Sequence, residues 1–176
     1  RLLTREIERQ PRTEAVARAR LLAERGRVLA DRNSYGRRDP ASARRALEEA
    51  LAAARGASDP VSEAVALQSL AQMRYGETFE TGDWEGVRSD FERVIALRER
   101  AGDRRGLAES YFYLGLTYEQ DGRPDEALPL YRRSLEIARE VGDGVLQSYP
   151  HRHIGGIEEE RGELDAAANV VEAPRD

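Results

Sequence analysis

Gly82, Gly122 and Gly162 stand 40 residues apart, and a phrase returns with them. Arg98-Glu99-Arg100-Ala101-Gly102-Asp103 is answered by Arg139-Glu140-Val141-Gly142-Asp143. Leu114-Gly115 is answered by Ile154-Gly155, and Ala127 by Ala167. A fixed period of this size marks a repeat array, in which each unit is one supersecondary element that cannot bury its apolar face alone. Such arrays are mostly binding surfaces, so the period constrains the fold far more than the ligand.

Within the period the spacing is helical. Ala108, Tyr111, Leu114, Gly115 and Tyr118 recur at three and four residues and mark one helix face. Gly122 ends that helix where a left-handed residue is needed. Pro124, Asp125 and Glu126 suit the first turn of the next, which buries Ala127, Leu128, Tyr131, Leu135 and Ala138. Pro129 within it predicts a bend. The preceding unit opens at Asp59-Pro60 with Ala64, Leu67, Leu70, Ala71, Met73 and Tyr75, and closes at Gly82. Its second helix carries Val87, Phe91, Val94, Ile95 and Leu97, with Trp84 at its start as a packing residue between units. Upstream, Val16, Ala19, Leu22, Ala23, Gly26 and Leu29 form a stripe. A loop over Asn33 to Asp39 and a helix from Pro40 follow. Leu2, Leu3 and Ile7 read as the tail of an earlier helix. Downstream, Ile154, Ile157, Leu164 and Ala167 continue the pattern until Pro174. The expected organisation is a single all-α repeat domain over 1–176, with units at about 12–58, 60–102, 103–142 and 144–172. We read it as a piece of a longer protein.

Tyr111, Leu114-Gly115, Tyr118, Gly122, Ala127, Tyr131 and Ser134 together resemble the tetratricopeptide repeat. The 40-residue spacing and Ala127-Leu128-Pro129-Leu130-Tyr131 resemble its longer subtype, found in kinesin light chains and bacterial signalling regulators. The resemblance covers about residues 12–168. It implies an α-solenoid, a right-handed superhelix of antiparallel helix pairs whose first helices line a concave groove. It also implies a protein–protein interaction scaffold, such as the sensor part of a bacterial regulator, rather than an enzyme.

Projecting the helices leaves as groove-facing Gln72, Phe79 and Glu80; Glu109, Phe112, Leu116, Glu119 and Gln120; and Tyr149, Arg152 and Glu159. Ser69, Gly76, Gly156 and Glu160 lie with them, as do Arg20, Ala23, Arg27 and Asp31 in the first unit. Relatives that clamp a terminal carboxylate use Lys, Arg and Asn at these places. Here they are mostly acidic, which excludes that clamp. A peptide with basic and apolar residues fits better, anchored on Phe79, Phe112 and Tyr149.

Composition bounds the rest. With no cysteine there is no disulfide framework and no thiol nucleophile or ligand, which fits a cytoplasmic setting. No apolar run approaches the ~18 residues that span a bilayer. His151 and His153, the two histidines, point apart at i and i+2, although Pro150 could make their stretch irregular. No metal, cofactor or catalytic set is expected. The Gly155-Gly156 pair reads as a small patch for close helix approach. Nucleic acid is the weaker partner class, since only Arg37-Arg38 and Arg44-Arg45, with Tyr35, form a basic cluster. The remaining alternatives are an enzyme or small-molecule site near Tyr149, His151 and Glu119, and self-association. All basic residues are arginine, and residues 1–58 carry 14 of them against 8 acids, while 59–176 carry 14 against 25.

Overall fold

The computed structural model describes the backbone of residues 2–30 and 39–172 and the side chains of 13–30 and 39–162. Among these the chain is all-α, built of helix pairs. Its seven helices are α1 (Leu2–Ala30), α2 (Pro40–Ala57), α3 (Pro60–Thr81), α4 (Trp84–Ala101), α5 (Arg104–Gln120), α6 (Pro124–Glu140) and α7 (Gly144–Glu172). The chain divides into two compact units, Arg1–Gly106 and Leu107–Asp176.

The helix boundaries follow local chemistry. Asp39, Asp83, Asp103 and Asp143 each accept a hydrogen bond from the backbone N–H three residues on, at 3.0 Å, which satisfies a donor that the first helical turn leaves open. Asp59 also precedes a helix, but its buried carboxylate instead accepts from Ser62 Oγ at 2.7 Å and from Arg20 Nε at 3.4 Å. At the other ends the chain turns through positive φ at Gly82 (73°), Gly102 (68°), Gly122 (73°) and Gly142 (70°), where glycine meets no Cβ penalty. Gly162 breaks this series. It lies inside α7, which runs on to Glu172. The helix is also continuous through the fully buried Pro150, so no irregular stretch separates His151 from His153.

In the first unit, α1 packs on α2 and α3, and α3 packs on α2 and α4. The α1–α2–α3 core is built of small residues: Ala19, Ala54 and Ala57 in one cluster, Ala23, Ala50 and Ala66 in the next. Small side chains let the backbones come close. A Cβ on Gly26 would stand 2.5 Å from a Leu47 methyl. Residues 2–30 form one helix, so the N-terminal segment is the start of α1 rather than the tail of a separate helix. Leu29, assigned to the buried stripe, is exposed. In α4, Val87, Phe91, Val94 and Ile95 are buried as expected.

In the second unit, all five expected core positions of α6 are buried. Phe112, Ala127, Leu128, Tyr131 and Ile157 form its core, with Tyr113, Leu116, Tyr118 and Ile154 packed against them. Gly115 makes room for the Tyr131 ring, since a Cβ there would lie 2.6 Å from Cε1. Ser134 Oγ donates to the Ala108 carbonyl at 2.7 Å, tying α6 to α5. The Gly155-Gly156 patch meets nothing within 4 Å, so no described helix uses it. Leu2, Leu3, Ile7, Asp31, Arg32, Tyr35, Arg37, Arg38, Leu164, Ala167 and Pro174, and the loop before Asp39, lie outside the described residues or side chains.

Candidate partner-binding surface

The exposed aromatic site of the first unit is built at the end of α3. Tyr75 and Phe79 are four residues apart and share a face. The Gly82-Asp83 turn then delivers Trp84 as the first residue of α4. The three rings meet edge to face, with centroids 5.4 Å apart for Tyr75–Phe79, 5.2 Å for Phe79–Trp84 and 6.0 Å for Tyr75–Trp84. Trp84 therefore packs within its own helix pair, not between units. Tyr75 and Trp84 are half-buried, whereas Phe79 remains 57% exposed. Glu80 beside it is exposed and has no side-chain partner among the described residues, while Glu77 pairs with Arg44 at 2.8 Å.

The turn under this trio is held by charge. Arg74 donates to Asp83 at 2.6 Å and to Asp90 at 2.7 Å. The Gly86 N–H, and then the Arg74 guanidinium, hold the Asp83 carboxyl below its usual value. Asp39 is likewise lowered, first by the Ser42 hydroxyl. Beside these pairs a cleft of about 330 Å³ opens over Leu67, Leu70 and Ala71, rimmed by Arg44, Glu77, Asp90 and Arg93. It lies between α2, α3 and α4, and spacing alone gave no sign of it because the rim comes from three helices.

The second unit carries a different arrangement. Glu119 at the end of α5 accepts a hydrogen bond from the Tyr131 hydroxyl of α6 and lies 2.8 Å from Nδ1 of His153 on α7. The His153 ring also packs against Phe112 at 5.4 Å and Tyr131 at 5.2 Å. Tyr149, one turn before His153, lays its ring 5.6 Å from Phe112 and stays 42% exposed. Three helices thus converge on one half-buried polar node under an aromatic lid.

This geometry re-sorts the expected groove residues. Phe79, Glu80, Gln120, Tyr149, Arg152 and Glu159 are exposed; Gln72, Glu109, Leu116 and Glu119 are half-buried. Phe112 is only 9% exposed and belongs to the core, because α6 and α7 close over it. Ser69 and Ala23, also read as groove-facing, are buried at 2% each. Glu119 is engaged inside its own unit. His151, named with Tyr149 and Glu119 as an alternative small-molecule site, instead lies 3.3 Å from Arg139, and His153 takes its place. The signal for His153 was its i,i+4 spacing from Tyr149. Among the described residues no group of three or more metal-ligating side chains comes together, and no helix is long and apolar enough to cross a membrane.

The family model for the tetratricopeptide repeat matches residues 77–140 and again 114–172, so the two overlapping matches cover more than half of the chain. No curated protein matches it.

Proposed function

The chain belongs to the tetratricopeptide repeat family, and from that premise we propose that it is an interaction scaffold for a protein or peptide partner bearing apolar side chains and Arg or Lys. The observation that carries this reading is Phe79, a large apolar ring left 57% exposed while two other rings hold it in place. A ring held rigid before binding loses little entropy on binding, which favours it as an anchor. The exposed Glu80 beside it favours a cation on the partner. Tyr149, with Arg152 and Glu159 exposed along α7, is the corresponding surface of the second unit. The engaged Glu119 acts here by positioning Tyr131 and His153, not by meeting the partner.

The 40-residue period and the Ala127–Tyr131 phrase support a finer reading. On it, the chain is of the long-repeat subtype and serves as the sensor part of a cytoplasmic bacterial regulator. Recovery of the full-length protein and its companion domains tests that reading.

The binding reading is tested with a random peptide library panned on the purified chain. Enriched sequences should combine an aliphatic or aromatic residue with Arg or Lys. Trp84, the single tryptophan, sits in the trio, so its emission should shift on titration with an enriched peptide. Phe79→Ala should then cost about 2 kcal/mol of affinity. Enrichment of acidic peptides, or an unaffected Phe79→Ala variant, would remove the site from α3.

A further inference from the structure

The cleft beside the Arg74 pairs belongs wholly to the first unit and lies apart from the aromatic trio. Its floor is Leu67, Leu70 and Ala71 on α3. Leu70 and Phe79 are separated by about two and a half helical turns, so they face opposite sides of α3. Six charged side chains ring the floor, three of each sign. Four of them satisfy one another. Arg44 of α2 pairs with Glu77 at 2.8 Å, and Arg74 pairs with Asp90 at 2.7 Å. One of each sign is left. Glu48 of α2 is exposed and has no side-chain partner among the described residues. Arg93 of α4 stands 3.9 Å from Asp90, too far for a hydrogen bond, and the other oxygen of that carboxylate is already engaged by Arg74.

An apolar floor flanked by a spare carboxylate and a spare guanidinium has a definite complement. The occupant carries one cation, one anion and an apolar group, with no net charge. A ligand of one sign would leave one of the two groups unmatched and would face a like charge. A volume of about 330 Å³ stands at the lower end for small-molecule sites, so it suits one compact molecule rather than a length of chain. A free amino acid with an apolar side chain has these parts. We infer that the cleft binds an apolar amino acid, such as leucine or phenylalanine. Its ammonium meets Glu48, its carboxylate meets Arg93, and its side chain covers Leu67 and Leu70. The planar guanidinium of Arg93 suits a carboxylate, which it can hold by two parallel hydrogen bonds. The inference does not rest on the peptide site, since Phe79 takes no part.

Nuclear magnetic resonance titration of the isotope-labelled chain with leucine and with phenylalanine tests this. Amide shifts should gather around Glu48, Ala71 and Arg93, not around Phe79, with a dissociation constant of about 1 mM, which a ligand of this size can reach. N-acetylleucine lacks the cation and leucinamide lacks the anion. Each should bind about three- to fivefold more weakly than leucine, the worth of one exposed ion pair. Glu48→Gln should bring leucine and N-acetylleucine to equal affinity, and Arg93→Gln should do the same for leucine and leucinamide. Each variant still discriminates at its intact end, which shows that it is folded. Phe79→Ala should bind leucine like the parent chain. Absence of shifts with both amino acids overturns the inference. So does N-acetylleucine binding the parent chain as well as leucine, or a Glu48→Gln variant that still tells the two apart.

Discussion

Nδ1 of His153 lies 2.8 Å from the Glu119 carboxylate, joining α7 to α5 across 34 positions, and the Tyr131 hydroxyl of α6 binds the same carboxylate. A shared, partly buried acceptor couples the three helices more tightly than any pair alone. His153→Ala should cost about 1–3 kcal/mol, since it removes the bond and the ring packing together. Glu119→Gln should cost less alone, and the double variant less than the sum of the singles. Chemical denaturation of the four proteins measures the cycle. Strict additivity would show that the contact carries no energy.

Two glycines at equivalent repeat positions should respond with opposite signs. Gly115 faces the fully buried Tyr131 ring, and Gly155 faces open space. Both lie inside helices, where alanine gains roughly 0.5–1 kcal/mol over glycine. Gly155→Ala should therefore raise the melting midpoint. Gly115→Ala should lower it, because a crowded core costs roughly 1–3 kcal/mol. Two shifts of the same sign would place Tyr131 elsewhere.

Phe112 should behave as a core residue. Phe112→Ala is expected to cost about 3–5 kcal/mol of stability, and any loss of partner affinity should follow from unfolding of α5 to α7. Ala127 is fully buried in the same cluster, so Ala127→Leu should overpack it and cost roughly 1–3 kcal/mol. Thermal melts of both variants decide this. A Phe112→Ala protein that melts like the parent would return the ring to the surface.

Asp83 should make the first unit acid-sensitive. The Gly86 N–H and Arg74 both favour its charged form. A carboxyl lowered in the folded state contributes stability that is whole above its unfolded pKa, about 3.9. That stability is lost as pH falls through the folded value. Asp83→Asn keeps a capping oxygen but loses the charge. It should be less stable than the parent near neutral pH, and the gap should close below about pH 4. Urea midpoints from neutral to strongly acidic pH follow the gap, and a gap independent of pH would contradict the assignment.

What the chain's own order determined is the local part of the molecule. The glycines at 82, 102, 122 and 142 and the aspartates at 39, 59, 83, 103 and 143 mark where helices stop and start. The three-and-four spacing of apolar residues marks which faces are buried. Both rest on interactions within one turn of backbone, so a residue and its near neighbours suffice to read them. What only the tertiary structure decided is everything that depends on a second helix. Phe112 and Phe79 are both aromatic residues on first helices, and helix projection alone sets both on the groove face. One is buried because α6 and α7 close over it, and the other is held exposed by Tyr75 and Trp84. Glu119, which projection sets in the groove as a carboxylate for a cationic partner, is instead engaged by Tyr131 and His153, 12 and 34 positions away. Gly162 has the same place in the period as Gly122, yet α7 runs through it, because an identical residue stops a helix only when the chain beyond it has a turn to make.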